Sequence, residues 1–355
     1  MAAAQRSREG WLFVSPALIV LGLFLVLPVL LAIWVSVSDW NGNGSPLHAG
    51  FAGATNYRAL FSGGSLQEMN FGTSLRNNFY YVLLVVPLQT VLSLALAVMV
   101  SARLLRGRGF FRTTFYFPSV TSSVAITVLW LYLFSTSGAV NDVIGRLGGT
   151  GPNWYNDPRG LLELIYDKVG LNTNAGPLAT HSFIGISWWQ WLSGPSVAMS
   201  TYILMAIFTT SGTFMLLFIA ALRSIGDELY EAGMVDGASS WQRFRHITVP
   251  MVRPTIVTVI TLGLIGCWQV FDQIYTGTQG NPENTTLTPA YLAYQTSFTS
   301  QRYGQGAAIS FVLFAIIVIF TLLQRFVLRE REPRAVRRAA RAARSAGAAG
   351  EASAL

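Results

Sequence analysis

Side chains able to do chemistry are few in this 355-residue chain, and their placement restricts what it can do. Gln269, Asp272 and Gln273 fall inside an otherwise apolar run at i, i+3 and i+4 spacing, which puts them on one side of a helix, with Trp268 and Phe271 adjacent. Two amides, a carboxylate and aromatic faces suit non-covalent recognition of a polar solute. The competing reading is interhelical hydrogen bonding that only holds a bundle together, and it weighs more heavily for Asn78, Gln89, Thr127 and Tyr202. Covalent and metal chemistry is poorly supplied. Cys267 is the single cysteine, which excludes an internal disulfide and a Cys-rich metal site. His48, His181 and His246 all lie outside the apolar runs. Lys168 is the only lysine, and Val169 follows it with no Gly-rich run before, whereas a P-loop requires Lys ahead of Ser or Thr. The chain does not itself consume ATP through such a loop.

The elements that must position these groups are membrane spans. Hydrophobic residues make up 52% and charged residues only 11%, against roughly a quarter charged in soluble proteins, so a large water-soluble enzyme is not expected. Six runs are long and apolar enough to cross a bilayer as helix: 11–37, 78–101, 115–134, 197–222, 254–275 and 305–328. The first is about twice as long as a signal-peptide core, so it reads as a true span kinked at Pro28. The fold expected is an all-α integral membrane protein with six transmembrane helices.

The basic residues orient it. With a cytoplasmic N-terminus (1–10), the inner segments hold Arg6 and Arg8; Arg103, Arg106, Arg108 and Arg112; Arg223, Arg243, Arg245 and Arg253; then Arg325 with the seven arginines of the 329–355 tail. These are 18 of the 24 basic residues. The outer segments hold Arg58, Arg76, Arg146, Arg159, Lys168 and Arg302, so the positive-inside rule places both termini in the cytoplasm. Of the 16 carboxylates only Asp272 falls within a span, as the cost of a charge in the bilayer requires. The tail reads as solvated or lipid-facing, each arginine gaining about 1 kcal/mol near an anionic leaflet, rather than as a nucleic-acid arm.

Two connections carry information. The outer segment 135–195 is too long for a simple link; it holds a helical stretch over Leu161–Val169 and the cluster Trp188, Trp189 and Trp191. It reads either as an external cap or docking surface, or as an interfacial aromatic anchor. The 223–250 loop looks like two short helices. Asp227 and Glu228 suit a helix N-terminus, Asp236-Gly237 is a stop signal, Ser239 with Gln242 forms a capping-box pattern, and Pro250 is expected to end the second helix. Leu229, Tyr230 and Met234, exposed beside acidic residues, suit docking in another protein's groove; the alternative is adsorption to the membrane surface.

Glu231-Ala232-Gly233, then Gly237, Ile247 and Pro250, resembles the EAA loop of permease subunits of bacterial ATP-binding-cassette importers. Asp236-Gly237-Ala238 and Phe244-Arg245-His246-Ile247-Thr248 within Tyr230–Pro250 are similar to the sugar-permease branch related to the maltose and trehalose systems. Phe271–Tyr275, Tyr303-Gly304, Arg112-Thr113 and Phe117-Pro118 extend the likeness over most of 11–328. Gly233 stands where the family usually has Ala, and Val249 where it usually has Leu.

The resemblance implies a non-enzymatic, multi-pass subunit of the bacterial cytoplasmic membrane. It implies partners as well: a second permease, two ATPase subunits that bind ATP and magnesium in place of any cofactor on this chain, and an extracytoplasmic solute-binding protein. Glu231, Ala232, Gly233, Asp236, Gly237, Ile247 and Pro250 would form a coupling helix and its turn. Gln269, Asp272, Gln273 and Trp268 would line the path of a carbohydrate, a di- or oligosaccharide, with a polyol or glycerol phosphate derivative as the alternative solute. A secondary transporter would show midplane ionisable groups and an internal repeat, and an intramembrane enzyme a Ser/His, paired-Asp or His/metal site; neither pattern is seen.

Overall fold

The structure, a computed structural model, describes residues 2–62, 64–101, 106–170 and 177–328, and the side chains among them other than those of 2–9 and Asp167. The Arg6 and Arg8 side chains, Arg103 and the basic tail 329–355 therefore lie outside the described residues. Among the described residues, five helices are long and apolar enough to cross a membrane: Gly10–Ser36, Leu66–Ser101, Val197–Arg223, Arg253–Thr276 and Tyr303–Val327. A pair, Arg108–Val120 and Ser123–Leu133, is apolar enough to make a sixth crossing if taken together, but it is bent by 99° at the break.

The expected third span, 115–134, is thus not one straight helix. Pro118 contributes no backbone N–H. The Ser119 hydroxyl donates to Tyr116 O at 2.6 Å and the Thr121 hydroxyl to Phe117 O at 3.0 Å, while Thr121 itself is extended. Side-chain bonding to nearby carbonyls offers the chain an alternative to helix, and the chain turns there. The second span differs in the other direction, starting at Leu66 and running 36 residues. Ser65 accepts the Glu68 N–H, and Glu68 accepts the Gly64 N–H, so a cap sits well before the apolar run. Near Pro28 the irregularity takes the form of a π turn over Gly22–Val26, in which one residue is inserted ahead of the proline.

Val197–Arg223 and Leu66–Ser101 pair along their lengths and form the centre of the bundle. Arg253–Trp268 packs on Leu66–Ser101, and Tyr303–Val327 packs on both Arg253–Trp268 and the end of the first span. One apolar core gathers Phe71, Met199, Tyr202, Trp268, Ile274 and Ile309; a second, around Phe214, Phe218 and Val259, closes the other half. The first span is peripheral. Only Val35 and Ser36 of its last turns are buried, and Phe13 is 88% exposed, which fits a helix whose solvent is lipid.

The described parts of the 135–195 segment, 135–170 and 177–195, are folded. Leu161–Val169 is helical as expected, a two-residue hairpin pairs Ser182–Phe183 with Ile186–Ser187, and Trp188–Leu192 follows with a Ser187–Gln190 capping box. Phe183 stacks on Trp188 and packs against Trp191, whose indole N–H donates to Phe183 O. Arg76 and Tyr80 of the second span donate to Gln190 O and Trp191 O, at 3.2 and 2.8 Å, and fix this cap to the bundle. Asp157 is bonded by the Arg159 guanidinium and backbone N–H, which hold its carboxyl below the usual carboxylate range.

Close helix contact depends on Gly212, where a Cβ would collide with Phe115 O of the bent pair. Gly212→Val is expected to destabilise the protein by about 1–3 kcal/mol, as overpacking does; the thermal unfolding midpoint of the purified protein in detergent should fall, and an unchanged midpoint would refute the close approach.

Candidate functional site: a mid-bundle cavity and a two-helix hairpin

The fifth span is broken where its polar residues lie. Helix runs from Arg253 to Trp268, Gln269 leaves it, Phe271 takes φ −137° and ψ −59°, and helix resumes over Asp272–Thr276. Gln269 and the pair Asp272 and Gln273 therefore stand on two helical pieces, so their alignment does not come from regular i, i+3, i+4 spacing. It comes from a shared cavity of about 270 Å³, whose wall includes all three together with Tyr81, Gln89, Thr209, Thr210 and Phe271. An adjoining space of about 290 Å³ shares Thr209, Thr210, Phe214 and Gln273 and reaches Ser119, Thr121 and Ser123 at the bend of the third span. Both breaks thus face one region, on either side of the fourth span. Thr210 is 13 residues along a helix of 27, so at about 1.5 Å per residue the cavity lies near mid-span.

Broken helix at such depth requires donors for the freed carbonyls. Asn78 Nδ2 donates to Trp268 O at 3.2 Å and the Thr288 hydroxyl to Val270 O at 3.0 Å. Gln89 is fully buried; its Oε1 accepts from Thr210 at 2.6 Å, while its Nε2 has no hydrogen-bond partner among the described residues. Such an amide is a donor ready for a polar solute. Trp268 takes a different place. It is 2% exposed and packs on Phe320 behind the wall, so of the four residues expected along the path it is a supporting one. Sequence patterning passed over Thr209 and Thr210. Two hydroxyls within a long apolar run were the available signal, obscured because helical Thr can satisfy itself on its own backbone, as Thr209 does.

The hairpin between the fourth and fifth spans consists of Asp227–Val235 and a second helical stretch from Ser240. Gly237 closes the first helix at φ +73°: its N–H donates to Met234 O, and that of Ala238 to Gly233 O, a Schellman arrangement. Ser239 and Gln242 form the expected capping box, with Ser239 N–H to Gln242 Oε1 at 2.7 Å. Pro250 does not end the second helix. The chain passes through a π turn over Phe244–Thr248 and remains helical to Met251, because the inserted residue accommodates the proline as it does at Pro28. Gly233 lies against Ile247 and Arg243, with a Cβ there meeting Ile247 Cδ1 at 3.2 Å. Tyr230 is half-buried, its hydroxyl bonded to that of Thr248 at 2.9 Å. The exposed face instead carries Leu229, Met234, Val235 and Trp241 with Glu231, Ala232 and Asp236. Val235 is 89% and Trp241 66% exposed, more than a monomeric surface needs.

A helical bundle of five or six candidate spans, with a polar cavity near mid-span and an exposed two-helix hairpin, is the architecture of a membrane transport subunit. Residues 89–332 match the binding-protein-dependent transport system inner membrane component, and the chain belongs to that family. It is a multi-pass permease subunit of an ATP-binding-cassette importer. The lactose transport system permease protein of Rhizobium radiobacter is 30% identical over 91% of this chain and 95% of its own length. The trehalose/maltose transport system permease protein of Thermococcus litoralis is 28% identical over 90% and 93%. A crystal structure of a bacterial ABC transporter involved in alginate import shares the fold with a TM-score of 0.68 at 19% identity, over 94% of this chain and 100% of that one.

A larger side chain at Gly263 would strike Gln89 Nε2. Gly263→Leu is expected to lower the initial rate of solute uptake about tenfold or more, equivalent to about 1.4 kcal/mol, with the protein still present in membranes by immunoblot. Unchanged uptake would remove this region from the solute path.

Proposed function

We propose that this chain translocates a carbohydrate, a di- or oligosaccharide delivered by an extracytoplasmic binding protein, by alternating access coupled to two separate ATPase subunits and shared with a second permease. The observation that carries the reading is the cavity wall. Gln89, Thr210, Gln269, Asp272 and Gln273 offer amide, hydroxyl and carboxylate groups to hydroxyls, and Tyr81, Phe214 and Phe271 offer apolar faces to a ring. The lactose and trehalose/maltose permeases named above support the solute class.

The arginine distribution supports both termini and the 223–250 hairpin on the cytoplasmic side, in a bacterial inner membrane. There the apolar face around Leu229, Val235 and Trp241, with Glu231 beside it, would seat in a cleft of an ATPase subunit that supplies ATP and magnesium chemistry. Ala232 keeps the approach close, Gly233 lets the hairpin's two helices pack, and Gly237 sets their turn. The second helix is tied to the first through Tyr230 and Thr248 and leads within two residues into Arg253–Trp268. A movement of the hairpin would therefore act on a rigid rod whose far end is the cavity.

ATPase activity of the reconstituted complex, with its binding protein, should be stimulated by one or more members of a panel of mono-, di- and oligosaccharides. Stimulation by polyols, glycerol phosphodiesters or peptides and by no saccharide would overturn the solute assignment. The double substitution Glu231→Lys, Gly237→Pro should reduce uptake about 100-fold or more, because an unpaired charge buried at an interface costs about 3–5 kcal/mol and proline can adopt neither the positive φ nor the N–H bond of Gly237. Normal uptake in the variant, with normal membrane levels, would overturn the coupling role.

A further inference from the structure

A further cavity lies at the opposite end of the bundle from the hairpin, and none of the residues expected to contact solute belongs to it. It measures about 560 Å³, within the roughly 300–1,000 Å³ typical of small-molecule sites. Its wall joins three elements: the start of the second span through Arg76, the cap through Glu163, Tyr166, Trp189 and Gln190, and the loop after the fifth span through Glu283.

The wall is built rather than incidental. Arg76 is 8% exposed, its guanidinium directed by bonds to Asn77 Oδ1 and Gln190 O. Glu163 is held by the Gly160 N–H at 3.1 Å, and Trp189 meets Tyr166 edge to face at 5.7 Å. Glu283 sits at φ +48°, with Asn284 beside it at +59°. A non-glycine residue there costs about 1–2 kcal/mol, and such strain persists where the surroundings impose it. They do so here, since Asn77 Nδ2 donates to both Asn284 O and Leu287 O, at 2.8 and 2.9 Å. The second span therefore both places Arg76 in the cavity wall and fixes the loop that brings Glu283 to its edge.

We propose that this outer cavity is a second saccharide site, an entry position that holds a sugar ring before it reaches the mid-bundle cavity. One guanidinium and two carboxylates, all planar and spread around the wall, match a neutral ligand dense in hydroxyls: the carboxylates accept O–H bonds and Arg76 donates to hydroxyl oxygens. Trp189 and Tyr166 supply aromatic surface for the C–H face of a ring. A simple anion would be repelled by the two carboxylates, and a simple cation by buried Arg76. This assignment rests on the carbohydrate reading above and adds a location to it.

The test uses the assembled transporter without its binding protein, carrying Thr73→Cys in the cavity wall in a Cys267→Ala background. The probes are lactose and maltose, with betaine at equal concentration as a hydroxyl-free control. Maleimide labelling of the introduced cysteine should slow about tenfold when nine-tenths of sites are filled, and betaine should leave it unchanged. Adding Trp189→Ala should raise the half-protecting concentration about tenfold, while the variant complex still co-purifies. Glu283→Gln serves as a second variant and should weaken protection without touching the packed indole. If a saccharide stimulates the ATPase of the complete system yet neither sugar protects the cysteine, or protection survives both substitutions, the outer site is overturned and the carbohydrate reading stands. If no saccharide stimulates the complete system, both fall together.

Discussion

Trp268 O and Val270 O have no helical donor, because the fifth span stops at Trp268 and resumes only at Asp272. In an apolar slab such groups cost several kcal/mol each unless they are paired. Asn78 and Thr288 pair them, from the second span and from the loop after the fifth. Much of the molecule follows from that requirement. Asn78 must lie opposite the break, so the second span must pack there; Thr288 must return over it, so the loop after the fifth span must fold back. The third span meets the same constraint at its 99° bend, where Ser and Thr hydroxyls bond carbonyls of the preceding turn. Irregular backbone at this depth is tolerated where it borders a cavity or is covered by protein, and the two breaks border one region.

The proposed transport cycle uses the same geometry. Arg253–Trp268 is an unbroken rod of 16 residues, about 24 Å long, with the hairpin at one end and the break at the other. The fourth span runs alongside from the opposite end of the hairpin and carries Thr209 and Thr210 in the cavity wall. Displacing the hairpin would move two cavity walls together, while the third span, jointed at its bend, could follow a different path. The π turn over Phe244–Thr248 and its bond to Tyr230 keep the hairpin a single body, so little of a displacement would be lost within it.

Legibility in the sequence followed the range of the interactions. The membrane class, the five long spans and the hairpin's internal signals could be read because hydropathy, Gly237 and the Ser239–Gln242 pair act over a few residues. The early start of the second span was also locally encoded, in Ser65 and Glu68, but the apolar run drew the boundary to 78. The breaks were not legible. Gln269, Asp272 and Gln273 read as one helix face, and only Asn78 and Thr288, distant in sequence, make the broken conformation affordable. Trp268 looked like a partner for solute because it neighbours them, yet leaving the helix turns the polar residues toward the cavity and keeps the indole against Phe320. Pro250 was read as a stop, since its accommodation depends on a π turn that has no simple spacing rule.

The central claim is that the cavity at the two breaks opens and closes with the hairpin. The most direct measurement is the rate at which a membrane-impermeant maleimide labels Thr209→Cys, in a Cys267→Ala background, in the assembled transporter with and without ATP trapped on the ATPase subunits. Leu30→Cys on the peripheral first span serves as the reference. The account predicts that labelling at position 209 from a given side of the membrane changes about tenfold between the two states, as expected for a population shift of about 1.4 kcal/mol or more, while labelling at position 30 does not. Equal labelling of Thr209→Cys in both states, in a complex that hydrolyses ATP and transports solute, would contradict it.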